Sequence, residues 1–222
     1  MQPRDSRIIL WVGAKHSGKT TAVSHLVENI IHKEFTVAGI LSVSVYQGSE
    51  LRGYDVVDIT TRRKEFLARI GQTGLVKFGK FGFSKKGLMF GNKVLMLERT
   101  LKADLVVVDE FGPMELHGSG WRESVDFLIE KAKGMVMLVS REEIVTDVVK
   151  LYESTGCEIV NAGMEQSQDR VSILPMKSYA KWLKNPDNGA RLRETLFGSR
   201  PCRVREMLNK RVEKREIDRI SE

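Results

Sequence analysis

Hydrophobic positions recur along this chain in two rhythms, and the rhythms mark out its elements. Ile8-Ile9-Leu10-Trp11-Val12 is a short unbroken apolar run that suits a strand buried on both faces, and residues 20–31 then carry apolar side chains at helical spacing. Leu105-Val106-Val107-Val108 and residues 135–139 are two further apolar strands, and residues 157–160 form a last one. Between and around them, residues 88–101, 121–132 and 142–152 have helical patterns. Residues 35–45 and 54–59 are rich in β-branched side chains. With Gln47-Gly48-Ser49 as a turn they predict a β-hairpin, which adds antiparallel strands at a sheet edge instead of making a βαβ crossover. Residues 62–70 read as a short helix closed by Gly71. The segment Val76-Lys77-Phe78-Gly79-Lys80-Phe81-Gly82-Phe83 alternates apolar with small or basic residues. That pattern fits an edge strand kept soluble by lysines, the alternative being a basic aromatic strip that stacks single-stranded nucleic acid. Strands alternating with helices predict an α/β fold: a mostly parallel sheet flanked by helices, with an inserted β-hairpin.

The first apolar run ends in Gly13-Ala14-Lys15-His16-Ser17-Gly18-Lys19-Thr20, followed by Thr21, which is the spacing of a phosphate-binding P-loop. A strand turning into a helix here aims backbone N–H groups and the positive end of the helix dipole into one concavity that suits an anionic phosphate. The expected nucleotide-binding residues are therefore Gly13, Ala14, Lys15, His16, Ser17, Gly18, Lys19, Thr20 and Thr21. Lys19 reaches the β- and γ-phosphates and Thr20 ligates Mg²⁺. His16 departs from the glycine common in that part of such loops.

A P-loop site also needs a carboxylate on a neighbouring strand, and Asp109 stands at the end of the apolar run 105–108. It is the candidate second metal-holding residue, beside Thr20. Glu110 follows immediately and is placed to accept a proton from, or orient, a water attacking the γ-phosphate. The two acidic residues together point to hydrolysis, with Lys19 and Glu110 as the catalytic pair.

Length and charge modify this picture only at its edges. A chain of 222 residues fits one α/β domain plus something extra, so residues 1–184 are expected to form the P-loop NTPase-type domain. After the dense turn signal Asn185-Pro186-Asp187-Asn188-Gly189, residues 185–222 read as a basic, helical C-terminal tail. A net charge of +7 admits anionic partners, and residues 191–220 could engage nucleic acid or an acidic protein. Two distant cysteines, Cys157 and Cys202, fit a reduced compartment, and the four histidines form no ligand pattern. With neither a signal-peptide pattern nor a stretch of transmembrane length, the expectation is a soluble cytoplasmic protein that uses no membrane.

The run Asp109-Glu110-Phe111-Gly112-Pro113-Met114-Glu115-Leu116 resembles the Asp-Glu, apolar, Gly, Met-Glu-Leu signature of the THEP1-type nucleoside-triphosphatase family. Gly39, the stretch Gly53-Tyr54-Asp55-Val56-Val57, Glu65-Phe66-Leu67-Ala68-Arg69 and the segment 77–83 extend that resemblance to roughly residues 7 to 160. It implies a P-loop domain that hydrolyses nucleoside triphosphates such as ATP and GTP to diphosphates with Mg²⁺ and loose base selectivity. It also makes the lysine-phenylalanine strip family architecture. The chain departs from the family on the hairpin, where Ser42, Ser44 and Tyr46 replace Thr, Glu and Arg, and where Leu51 beside Arg52 replaces a further arginine. Two other readings compete with the hydrolase. One is a nucleotide-dependent switch or adaptor acting through the tail. The other is a small-molecule kinase, for which Arg62 and Arg63 are the only adjacent arginine pair in the core.

Overall fold

A computed structural model describes residues 8–161 except 16, 33–34, 73–75 and 156. The tail expected at 185–222 lies outside the described residues. In chain order the elements are β1 (Ile8–Gly13), α1 (Lys19–His32), β2 (Val37–Gln47), β3 (Glu50–Asp58), β4 (Lys64–Ile70), β5 (Val76–Phe78), β6 (Phe81–Phe83), α2 (Lys85–Leu95) and α3 (Glu98–Lys102). They continue with β7 (Leu105–Asp109), α4 (Pro113–Leu116), α5 (Arg122–Lys131), β8 (Met135–Arg141), α6 (Val145–Leu151) and β9 (Cys157–Asn161).

The strands form one mixed sheet in the order β5-β6-β4-β3-β2-β7-β8-β1-β9. From β2 through β7, β8 and β1 to β9 the neighbours are parallel, whereas β2-β3-β4-β6-β5 are antiparallel throughout. The expected parallel sheet is therefore one half of a larger one, and the predicted hairpin is the first step of an antiparallel extension. Ile8, Leu10, Val106, Val108, Val136 and Leu138 pack on one face against Val94 and Leu95 of α2, Val125 and Leu128 of α5 and Val148 of α6. The alternate residues Ile9, Trp11, Val107 and Met137 face the other side, where α1 buries Val23, Leu26, Val27 and Ile30.

Three segments differ from their sequence-based expectation. Residues 64–70 form β4, not a helix: Lys-Glu-Phe-Leu-Ala-Arg-Ile is rich in helix formers, but tertiary pairing with β3 and β6 overrides propensity. A bulge on this pairing sets Tyr54 opposite Ala68 but Asp55 opposite Phe66, so Leu67 is an extra residue. Consecutive Leu67 and Ala68 are consequently both buried, and the period-2 pattern is lost. Arg69 fastens the bulge, donating to Tyr54 O at 2.7 Å and to Asp55 Oδ1 at 2.6 Å. Residues 76–83 make two short strands joined by the two-residue turn Gly79-Lys80, with β5 at the outer edge. The helical pattern 88–101 is also divided, since the Thr100 hydroxyl donates to Val94 O at 2.7 Å where α2 ends.

Candidate active site

Every parallel strand of the sheet points its carboxyl end at the same edge, and the candidate residues sit there. β1 is buried along its whole length and delivers Gly13 to this edge. The chain then turns through residues 14–18, with Ser17 N donating to Ala14 O at 3.2 Å, and enters α1 at Lys19. Gly18 has φ +81°, a conformation that side chains other than hydrogen rarely adopt, and a Cβ built there would meet nothing within 4 Å. Ala14, Lys15, Ser17, Gly18 and Thr21 are exposed, while Gly13 and Lys19 are buried. His16 lies outside the described residues. Lys19 Nζ donates to Gly13 O at 3.1 Å and Ala14 O at 2.7 Å, so its ammonium lies within the loop. Burial lowers its pKa and the Arg141 cation adds to this, against the carboxylates of Glu110, Asp109 and Glu143.

β7 delivers Asp109, 1% exposed, to the same edge, though not on the strand next to β1 as expected: β8 lies between them, and Thr20 is met across that strand. Its Oδ2 accepts from Ser42 N at 3.2 Å, its carbonyl accepts from Ser42 Oγ at 2.5 Å, and its carboxyl group is hydrogen-bonded to Thr20. Burial pushes this carboxyl up to about 7, Glu110 adds to the shift, and the bonds from Thr20 and Ser42 and the charge of Lys19 oppose it. The structure thus brings Lys19, Thr20 and Asp109 together from two separated stretches of sequence.

Glu110 is 29% exposed by its side chain, and its Oε1 accepts from Arg141 Nε at 2.7 Å. Arg141 is the last residue of β8 and stands in register with Gly13 of β1. Sequence reasoning passed over it. The available signal was positional: Arg141 stands past the apolar run 135–139 with one residue between, near where Gly13 and Asp109 follow theirs, and the ends of parallel strands share one edge. Ser42 and Glu115 were named only as a departure from the family hairpin and as part of the signature, without the contacts they make here. Glu115, 4% exposed, accepts from Gly112 N at 2.8 Å and from Trp121 N at 3.1 Å, tying down the loop that follows Glu110. Burial pushes its carboxyl up to about 7, against those two bonds.

The hairpin departures flank this site. Ser42 touches Asp109, and Ser44 pairs with Tyr54, a half-buried residue whose hydroxyl pKa is raised by burial and then by Glu110. Tyr46 is 58% exposed and pairs with Leu51. Arg62 and Arg63 stand in the β3–β4 turn, just beyond Asp58, which pairs with Ile40. β3 runs into that turn heading away from the P-loop edge, and β2, β7 and β8 separate it from β1, so the arginine pair on which the kinase reading leaned is not at the P-loop.

A strand, glycine loop and helix, with a carboxylate brought to the same edge by the next strand but one, define a P-loop α/β nucleotide-binding domain. A protein-family model described as NTPase matches residues 8–172. Nucleoside-triphosphatase THEP1 of Methanothermobacter thermautotrophicus is 32% identical over 166 residues, 74% of this chain and 91% of that protein. The protein of the same name from Methanopyrus kandleri is 31% identical, over 79% of this chain and 97% of its own length. The crystal structure of THEP1 from the hyperthermophile Aquifex aeolicus superimposes with a TM-score of 0.57 at 20% identity, covering 80% of this chain and 99% of that one, which shows a shared fold. The chain belongs to the NTPase family, as its Asp109–Leu116 signature implied, and it is an enzyme of the nucleoside-triphosphatase class. No helix among the described residues is long and apolar enough to cross a membrane.

Proposed function

We propose that this chain hydrolyses nucleoside triphosphates to diphosphate and phosphate in a Mg²⁺-dependent reaction with broad base selectivity, in a cytoplasmic setting. The observation that carries this reading is the convergence of Lys19, Thr20, Asp109 and Glu110 on one edge of the parallel strands. The loop amides of 13–20 and Lys19 bind the β- and γ-phosphates. Thr20 and Asp109 suit Mg²⁺ by their chemistry: a hydroxyl and a carboxylate, both hard oxygen donors, already joined by a hydrogen bond at a buried point beside the loop. Bound there, Mg²⁺ would neutralise charge on the β- and γ-phosphate oxygens. Glu110 orients the attacking water and takes its proton as the water oxygen bonds to the γ-phosphorus. The bond from phosphorus to the bridging oxygen breaks, and that oxygen leaves with the diphosphate. Broad base selectivity follows the family resemblance.

The test is phosphate release from ATP, GTP, CTP and UTP, with Mg²⁺ and with EDTA, for the wild type, Lys19→Ala and Glu110→Gln. The expected result is Mg²⁺-dependent turnover of all four nucleotides by the wild type and none by Lys19→Ala. Glu110→Gln should retain nucleotide binding while its turnover falls about 10²- to 10³-fold. Wild-type binding without turnover would overturn the hydrolase reading, and equal loss of binding and turnover in Glu110→Gln would remove the role given to that residue.

A further inference from the structure

We infer that Arg141 is the arginine this site supplies from within its own chain, holding Glu110 through Nε while its terminal amino groups engage the γ-phosphate as hydrolysis proceeds. The inference rests on the hydrolase reading above and adds a residue that reading does not use. Arg141 ends β8, and its Cα pairs with that of Gly13, the residue whose carbonyl receives Lys19 Nζ. Adjacent parallel strands lie about 4.8 Å apart, so the guanidinium is tethered one strand from the first glycine of the phosphate loop.

Its bonding is divided in a way that fits the role. Nε donates to Glu110 Oε1 at 2.7 Å, and the two terminal amino groups donate to none of the described residues. A guanidinium can serve a carboxylate with one edge and a phosphate with another, whereas an ammonium is a point charge and cannot divide itself so. Only 32% of the Arg141 side chain is exposed, so this charge is held near the loop by its surroundings. The Arg141 charge bears on Lys19, and two like charges at one phosphate loop are compensated when a polyanion enters. A P-loop hydrolase gains most of its rate from such charge when it faces the three equatorial oxygens of the transferring phosphoryl group. Because the arginine comes in cis, no partner molecule is needed to complete the site.

The experiment uses the full chain with Mg²⁺ and compares wild type, Arg141→Ala and Arg141→Lys in three measurements. These are steady-state hydrolysis of ATP and GTP, affinity for ADP, and affinity for ADP with aluminium fluoride, which mimics the transferring phosphoryl group. Arg141→Ala is expected to lower kcat at least 100-fold and to change ADP affinity less than threefold. It should also lose the wild type's preference for ADP with aluminium fluoride over ADP alone. Arg141→Lys is expected to remain at least tenfold impaired. Should Arg141→Ala fail to fold by circular dichroism, Arg141→Lys carries the same three measurements. A kcat within threefold of wild type, or a kcat that rises because the pair restrains Glu110, would overturn the inference. So would an equal loss of ADP and ADP–aluminium fluoride binding, the mark of a structural role. Lys19→Ala is run alongside: wild-type turnover that depends on Lys19 but not on Arg141 sinks this inference alone, whereas no wild-type turnover sinks the hydrolase reading with it.

Discussion

The two halves of the sheet are built to different standards of burial. In the parallel half, every residue of β1 and β7 is buried and β8 is buried up to its last residue. In the antiparallel half, β3 and β4 mix buried, half-buried and exposed positions, and the edge strand β5 carries Val76 at 46% exposure. β2 belongs to both: residues 37–42, alongside β7, are buried, and from Val43 onward the strand emerges into the hairpin. The contrast separates two tasks. Loop 13–18, Asp109, Glu110 and Arg141 are all hung on the buried half, whose close packing holds them at fixed spacing. The open half brings Ser44, Tyr46 and Tyr54 toward the same edge on strands that tolerate change, and there the chain departs from its family's hairpin at Ser44, Tyr46 and Leu51.

The sharpest way to break this division is at the shared strand. A Cβ on Gly39 would lie 2.0 Å from Val107 O, and its φ of +114° suits glycine alone, so Gly39→Val forces β2 away from β7. The expected loss is more than about 4 kcal/mol, read by urea denaturation, and a loss under 1 kcal/mol would mean that the junction is not rigid. Next comes Leu138→Ala in β8, fully buried, expected to cost about 3–4 kcal/mol by cavity formation. At the far edge, Val76→Ser should change stability by no more than about 0.5 kcal/mol. If those two substitutions cost the same, the burial contrast does not translate into energy.

Between them in magnitude stands a pH effect. Glu115 has its carboxyl raised to about 7 from an ordinary 4.5, so the folded state holds its proton more tightly than the unfolded chain does. Its contribution to stability is complete below about pH 4.5 and is lost as pH rises through about 7. Glu115→Gln lacks that slope. Relative to wild type it should therefore gain stability between pH 4.5 and pH 8, by up to about 3 kcal/mol. Parallel melting curves of the two proteins across this range would contradict the assignment.

Legibility from sequence followed the same division. Unbroken apolar runs announced β1, β7 and β8, because strands buried on both faces have nowhere to place polar residues. The P-loop spacing and Asp109 came with them, since both are fixed relative to those runs. β4 was illegible: a bulge at Leu67 broke the alternation, and its helix-forming residues are overruled by pairing partners remote in sequence. Arg141 and Ser42 act through register across strands, which no local pattern encodes, and Glu115 was noticed only as part of a signature.

β2 and β7 are pinned at both ends of their pairing. Where they begin, Asp104 Oδ2 accepts from Thr36 N at 2.8 Å and from Thr36 Oγ1 at 2.6 Å, while Asp104 N donates back to Thr36 Oγ1 at 3.0 Å. Where they end, Ser42 binds Asp109. A slip by one residue would turn Asp109 to the opposite face of the sheet, away from Thr20. Inserted or deleted residues are accordingly barred from the stretches between these pins. Length variation among descendants of this chain belongs in the 47–50 turn and the strands beyond it, which can grow or shrink without moving the carboxylate.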